Sequence, residues 1–219
     1  MEKKLAEAAL GYIRDGMTIG LGAGKAVEYL IEFISMGEYP NLKIATNQMH
    51  TAFMCRERNL NLVPTWTVSH LDYTFDTLDF IDKDANGALG GSTFLLEDKL
   101  LASMADKFVC LVDEADTGTI LSPEFPVELE VSKSALFFVD AKLKELDAEV
   151  YLHSEDSIEP FISSDGNYVI EAEFKDGKNL KELDHTLSAI PGVITTSIYT
   201  GIPTIALIAG AEGIQTIEN

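Results

Sequence analysis

The stretch Met17-Thr18-Ile19-Gly20-Leu21-Gly22-Ala23-Gly24-Lys25-Ala26-Val27 decides the fold class. An apolar run of strand length ends in glycines, and helical spacing resumes at once through Val27, Leu30, Ile31 and Ile34 until Gly37 and Pro40 break it. Ahead of it, Leu5, Ala8, Ala9, Tyr12 and Ile13 recur at helical spacing and Asp15-Gly16 stops them, so the chain opens as helix, turn, strand, turn, helix. Downstream, the pattern predicts strands over residues 42–45, 60–63, 71–75 and 108–112, with helices over 47–58 and from about Thr93 to Ala105. Strand alternates with helix, which predicts parallel pairing through helical crossovers. The expected architecture is a Rossmann-like open parallel α/β sheet with ligand sites at the carboxyl ends of its strands.

Past Pro123 and Pro126 the character changes. Strands around 127–129, 148–152, 168–174 and 193–199 bracket helices near 133–146 and 180–189, an order close to the β-α-β-β-α-β of a ferredoxin-like α+β unit. The expected organisation is a Rossmann-like catalytic domain over 1–125 plus 200–219 and a smaller ferredoxin-like domain over 126–199. The apolar run Thr204-Ile205-Ala206-Leu207-Ile208 returns to the first sheet. A length of 219 residues suits one larger domain carrying a smaller one.

Charge narrows the partners. With 36 acidic residues against 16 basic ones, the formal net charge is -20, which disfavours nucleic acid and weighs mildly against an anionic ligand. No stretch is long and apolar enough for a bilayer, and the charged amino terminus lacks the pattern of a secretory signal, so no membrane association and a cytoplasmic location are expected. Cys55 and Cys110 read as buried free thiols. His50, His70, His153 and His185 have neither metal-ligand nor triad spacing and read as structural or surface residues, so no metal is expected. Trp66 reads as packing.

Three segments carry candidate chemistry. Gly20-Leu21-Gly22-Ala23-Gly24-Lys25 stands between a strand and a helix, where backbone amides and the helix dipole hold an anion, or where the glycines merely make a tight turn. It has neither Walker spacing nor, with Val27, a dinucleotide fingerprint. Asp76 and Asp79 follow a strand, placed to bind sugar hydroxyls or do acid–base work, or else to form an acidic turn in solvent. Gly90-Gly91-Ser92 precedes a helix whose early turns carry Glu97-Asp98, either a general base or an acid stabilising the helix dipole.

Taken in order along the chain, these groups resemble the ribose-5-phosphate isomerase A family from end to end. Gly20 to Ala26 stands for its Gly-x-Gly-Thr-Gly-Ser-Thr loop, Asp76-Thr77-Leu78-Asp79-Phe80 for its Asp-Gly-Ala-Asp-Glu, and Gly90-Gly91-Ser92 through Ser103 for its Lys-Gly-Gly-Gly loop and helix. Pro126-Val127-Glu128-Leu129, Ile190-Pro191-Gly192-Val193 and Gly213-Ile214-Gln215-Thr216-Ile217 complete the likeness. The resemblance implies interconversion of ribose 5-phosphate and ribulose 5-phosphate, or a related pentose, through a cis-enediol in the non-oxidative pentose phosphate pathway, without cofactor. It implies Asp98 in place of the family's catalytic glutamate, with Asp76 and Asp79 as its substrate-binding aspartates. It also implies substrate contacts at Gly22, Ala23, Gly24, Lys25, Ala26, Gly90, Gly91, Ser92 and Asp116, and a homodimer or homotetramer. Two family lysines are replaced, one by Leu89 and one by Asp116. A sugar-metabolite binding or regulatory protein that kept the pocket but lost turnover is therefore a second expectation beside the isomerase.

Overall fold

The computed structural model describes residues 1–91, 94–123, 125–152 and 161–219. In chain order its elements are α1 (Glu2–Leu10), β1 (Thr18–Leu21), α2 (Lys25–Met36), β2 (Lys43–Ala45), α3 (Met49–Glu57), β3 (Leu71–Thr77), β4 (Phe80–Asp82), β5 (Gly87–Ala88), α4 (Leu95–Ser103), β6 (Ala105–Asp113) and β7 (Thr117–Gly118). There follow β8 (Val127–Val131), α5 (Leu136–Glu145), β9 (Ala148–Tyr151), β10 (Phe161–Ile162), β11 (Tyr168–Phe174), α6 (Leu180–Ser188), β12 (Val193–Thr196), β13 (Ile198–Tyr199), β14 (Thr204–Gly210) and β15 (Gly213–Glu218). The chain divides into two compact units. Unit 1 comprises Met1–Ala85, Leu100–Thr117 and Gly201–Asn219; unit 2 comprises Asn86–Lys99 and Gly118–Thr200.

Unit 1 is built on a six-stranded sheet of order β15-β14-β6-β3-β1-β2. Every pairing is parallel except that of β15, which returns antiparallel along β14. From β1 the chain steps outward to β2 on one side, then crosses to β3 and continues to β6 and β14 on the other. Strand order thus reverses between β1 and β3, and the crevice at the carboxyl ends of those two strands is where an open α/β sheet takes its ligand. The apolar face of α2, with Val27, Leu30, Ile31 and Ile34, joins Leu5, Ala6 and Ala9 of α1 and Ile19, Leu21, Phe75, Val109 and Leu207 of the sheet in one buried cluster. Gly20 has no side chain because a Cβ there would stand 2.4 Å from Thr74 Oγ1 and 3.0 Å from Leu101 Cγ. That Thr74 hydroxyl donates to the Leu101 carbonyl at 2.8 Å, satisfying one of the last-turn carbonyls that an α-helix leaves without an internal partner.

Unit 2 carries an antiparallel sheet of order β9-β11-β8-β12, with β10 also pairing β11. Taken as β-α-β-β-α-β, the order places the first strand between the third and fourth, which is the ferredoxin-like arrangement the sequence predicts. Along β8, Val127, Leu129 and Val131 point to one face and Glu128 and Glu130 to the other, as the period of two requires. All five are buried.

Several local expectations are corrected. Residues 60–63 form only a bridge, Leu62 with Ile44, between left-handed Asn59 and Pro64, which cannot donate to a ladder. Helix α1 closes at Leu10, where the Gly11 amide turns back to Ala8, yet Ile13 remains buried. The strand expected over 193–199 divides at Ser197 into β12 and β13. Trp66 is 86% exposed rather than packed. The expected helix start at Thr93 and His153 lie outside the described residues. Cys55 and Cys110 are buried free thiols, and burial pushes the Cys55 pKa up to about 11. Among the described residues no helix is long and apolar enough to cross a membrane.

Thr74→Val keeps the shape of the side chain but strips Leu101 of its donor inside the core. Urea unfolding is expected to show a loss of about 1–3 kcal/mol.

Candidate functional site

In unit 1 the residues after β1 and β3 are tied together by backbone and carboxylate. The Gly22 amide donates to the Phe75 carbonyl at 2.9 Å, extending the β1–β3 ladder, and the Thr51 hydroxyl donates to the Gly22 carbonyl at 2.7 Å. Asp76, 7% exposed, accepts from the amides of Ala23 at 2.9 Å and Thr77 at 2.8 Å through one oxygen, Oδ1. The fit leaves no room at Gly22, where a Cβ would come within 2.0 Å of the Asp76 carboxyl. Gly24 adopts φ +102° at the head of α2, and no side chain caps that helix. The first-turn amides of Lys25, Ala26 and Val27 have no intrahelical acceptor, which is the arrangement that suits an anion.

The charges around this turn are largely spent on one another. Lys25 reaches back to Glu28 at 2.5 Å and lies over the Tyr29 ring at 5.6 Å. The Glu28 carboxylate holds the Lys25 pKa above its ordinary value, and Lys25 holds that of Glu28 below its own. In this structure the Lys25 ammonium is paired with Glu28, an exposed contact of the kind that contributes little to stability. Asp79 is exposed just past β3. The pKa of Asp116 is raised, first by partial desolvation and then by the charges of Asp113 and Asp79. The structure thus brings Gly22 and Ala23 against Asp76, sets Gly24 beside Thr77, and gathers Asp79 and Asp116 into an acidic group.

In unit 2, Leu89, Gly90 and Gly91 run from β5 toward α4. β5 pairs with β13, the Leu89 amide donates to the Ser197 carbonyl at 3.0 Å, and the Gly91 amide donates to Glu128 Oε1. Gly91 has φ +70°, a conformation glycine adopts without strain. On α4, Asp98 is 4% exposed, whereas Glu97 is half-buried, its pKa raised by desolvation first and then by Asp165, Glu130 and Asp98. Of the two acids, Asp98 is the more buried residue. Lys99 points away into a polar network: its Nζ lies 3.2 Å from Thr196 Oγ1 and 3.9 Å from Asp184, whose carboxylate also accepts from Thr196 and Thr200. Burial pulls the Lys99 pKa down while Asp184 opposes the shift. Ser92 lies outside the described residues. Among those described, no cluster of acids, histidines and cysteines has the arrangement of a metal site.

Residues 43–213 match the family Ribose 5-phosphate isomerase A (phosphoriboisomerase A). The chain belongs to the ribose 5-phosphate isomerase A family. It is similar to the ribose-5-phosphate isomerase A of Staphylococcus epidermidis, with 30% identity over 97% of this chain and 94% of that one. Among solved structures it is similar to ribose 5-phosphate isomerase A from Methanocaldococcus jannaschii, at 25% identity and TM-score 0.87, over 100% of this chain and 98% of that one. A D-ribose-5-phosphate isomerase in complex with phospho-erythronic acid superposes at TM-score 0.89 with 27% identity, over 100% and 97% of the two chains. The matched span takes in Asp76, Asp79, Asp98 and Asp116.

Glu128 is the family member's least legible group. Its alternation with Leu129 and Val131 reads as an acid on a solvent face, yet it is 4% exposed. Desolvation is the largest influence on it and carries its pKa from 4.5 to about 7 against the opposing hydrogen bonds of Gly91 and Ser197. Glu130, beside it, accepts from Ser163 at 2.7 Å and Asn167 at 2.8 Å.

Two outcomes are expected. Gly22→Ala drives the Asp76 carboxyl out of its place and breaks its bond to the Ala23 amide, which amide hydrogen exchange at Ala23 reports as lost protection. A carboxyl whose folded pKa lies above its unfolded one binds its proton preferentially in the native state, so its contribution to stability falls as pH rises from about 4.5 to about 7. Glu128→Gln abolishes that fall, and the melting temperature of the variant relative to wild type rises across the same window.

Proposed function

We propose that this chain interconverts ribose 5-phosphate and ribulose 5-phosphate without a metal or organic cofactor, the reaction its relatives are named for. The observation that carries the reading is the family match over residues 43–213. In this reading Asp98 is the acid–base residue. Its carboxylate takes the proton from C2 of the open-chain aldose, leaving a cis-enediol, and returns a proton to C1 while the O2 hydroxyl proton passes to O1. No atom is gained or lost, as an isomerisation requires. The burial of Asp98 supports the assignment, because a carboxylate withdrawn from bulk water keeps the transferred proton from exchanging freely.

Asp76 and Asp79 accept hydrogen bonds from sugar hydroxyls in this proposal. Gly22, Ala23, Gly24, Lys25 and Ala26 take the phosphate, and Gly90, Gly91, Ser92 and Asp116 complete the substrate contacts. The phosphate is held chiefly by the backbone amides opening α2, since the Lys25 ammonium is engaged by Glu28. The full reading places the protein in the cytoplasm, in the non-oxidative pentose phosphate pathway, as a homodimer or homotetramer.

Purified protein is expected to convert ribose 5-phosphate to ribulose 5-phosphate, and Asp98→Asn to lower kcat by about 10²–10⁴-fold, the usual worth of a general base, with little change in KM. A wild type without turnover, or an Asp98→Asn variant as fast as wild type, would overturn the assignment.

A further inference from the structure

We propose that Glu128 is a positioning residue for the Leu89–Gly91 turn, its buried carboxylate holding the Gly91 amide in the place where that turn meets substrate. The substrate role of the turn rests on the isomerase reading; the clamp itself rests on unit 2 alone. Glu128 sits on β8, flanked by β11 and β12, on the face that Val127 and Leu129 avoid. Its backbone is pinned to Ser197 in both directions, the Glu128 amide donating to Ser197 Oγ at 3.1 Å and the Ser197 amide to the Glu128 carbonyl at 2.9 Å. Ser197 in turn accepts from the Leu89 amide at 3.0 Å. One end of the turn is therefore held through Ser197 and the other through the Glu128 side chain, and both anchors converge on Glu128.

The chemistry of the carboxylate sets it apart from a structural acid. Glu130, on the same face, meets two side-chain donors, Ser163 and Asn167, as a residue that only has to be buried does. Glu128 meets a backbone amide of a glycine turn instead. Its second oxygen, Oε2, is buried with no hydrogen-bond partner among the described residues. A carboxylate so placed accepts from the Gly91 amide through Oε1, with Ser197 as the other neutral group that favours its ionised form, and the bond to Gly91 is stronger when the group is ionised. The charged group that acts on it from β11 is Glu171, which disfavours ionisation; Gly91 and Ser197 are neutral and favour it. Holding a glycine turn rigid matters for rate because freedom at a substrate-contacting backbone turns into lost alignment of the reacting atoms.

The test uses the full chain, with Glu128→Ala, Glu128→Gln and, as a control for loss of a buried acid, Glu130→Gln. Amide hydrogen exchange at Gly91 is read by NMR, and isomerisation kinetics are read from pH 5.5 to 8.5. Glu128→Ala is expected to remove protection of the Gly91 amide and to lower kcat/KM by roughly 10–100-fold, mostly in kcat. Glu128→Gln, which keeps an acceptor, restores most of the protection and rate but no longer shows a step in kcat near pH 7. Glu130→Gln leaves Gly91 exchange as in wild type. Unchanged Gly91 exchange in a folded Glu128→Ala overturns the clamp whether or not the protein turns over. Lost protection with unchanged kcat and pH profile overturns its bearing on catalysis. A wild type without turnover whose Gly91 protection still depends on Glu128 refutes the isomerase reading and leaves the clamp standing.

Discussion

One carboxylate oxygen organises the carboxyl ends of β1 and β3 in unit 1. Asp76 Oδ1 accepts from the Ala23 amide, which follows β1, and from the Thr77 amide at the end of β3. These two strands are the ones between which sheet order reverses. The bond constrains both partners: the carboxyl needs donors because it is buried, and the turn needs glycine at 22 because a Cβ there would occupy the carboxyl's space. Parallel pairing of β1 with β3, carried one residue further by the Gly22 amide on the Phe75 carbonyl, sets the register in which this meeting happens. At the open start of α2, Gly24 takes φ +102°, a conformation glycine reaches without strain.

Electrostatics works differently in the two units. In unit 1 the lysine at the turn pairs with Glu28, and the Asp116 pKa is raised by desolvation first and then by Asp113 and Asp79. In unit 2 the informative groups are buried acids: Asp98 on α4 and Glu128 and Glu130 on β8. A buried carboxylate is costly unless hydrogen-bonded. Each of the two on β8 has Oε1 bonded and Oε2 without a partner among the described residues, and for Glu128 desolvation pushes the pKa up.

Where a single pattern repeats over a long enough window, the sequence is legible. Val27, Leu30, Ile31 and Ile34 predict α2, and the apolar runs at 108–112 and 204–208 predict β6 and β14. Boundaries suffer where a local rule meets a tertiary one. Ile13 keeps its place in the core after the helix has ended, and the run at 193–199 breaks because Ser197 is claimed by Glu128 and Leu89. Trp66 shows the reverse error, an aromatic taken for packing that stands in solvent.

By itself the sequence determined the alternation of strand and helix, the glycines of the two turns, the acids at 76, 79 and 98, and the family resemblance those groups carry in order. These follow from period and spacing, which are local properties of a chain. Only the tertiary structure decided that Asp76 meets the Ala23 amide, that Asp98 is more buried than Glu97, and that Glu128 holds Gly91. The reason is physical: burial and hydrogen-bond partnership depend on residues tens of positions away, and a strand reading Val-Glu-Leu-Glu-Val looks the same whether its acidic face meets water or another part of the protein.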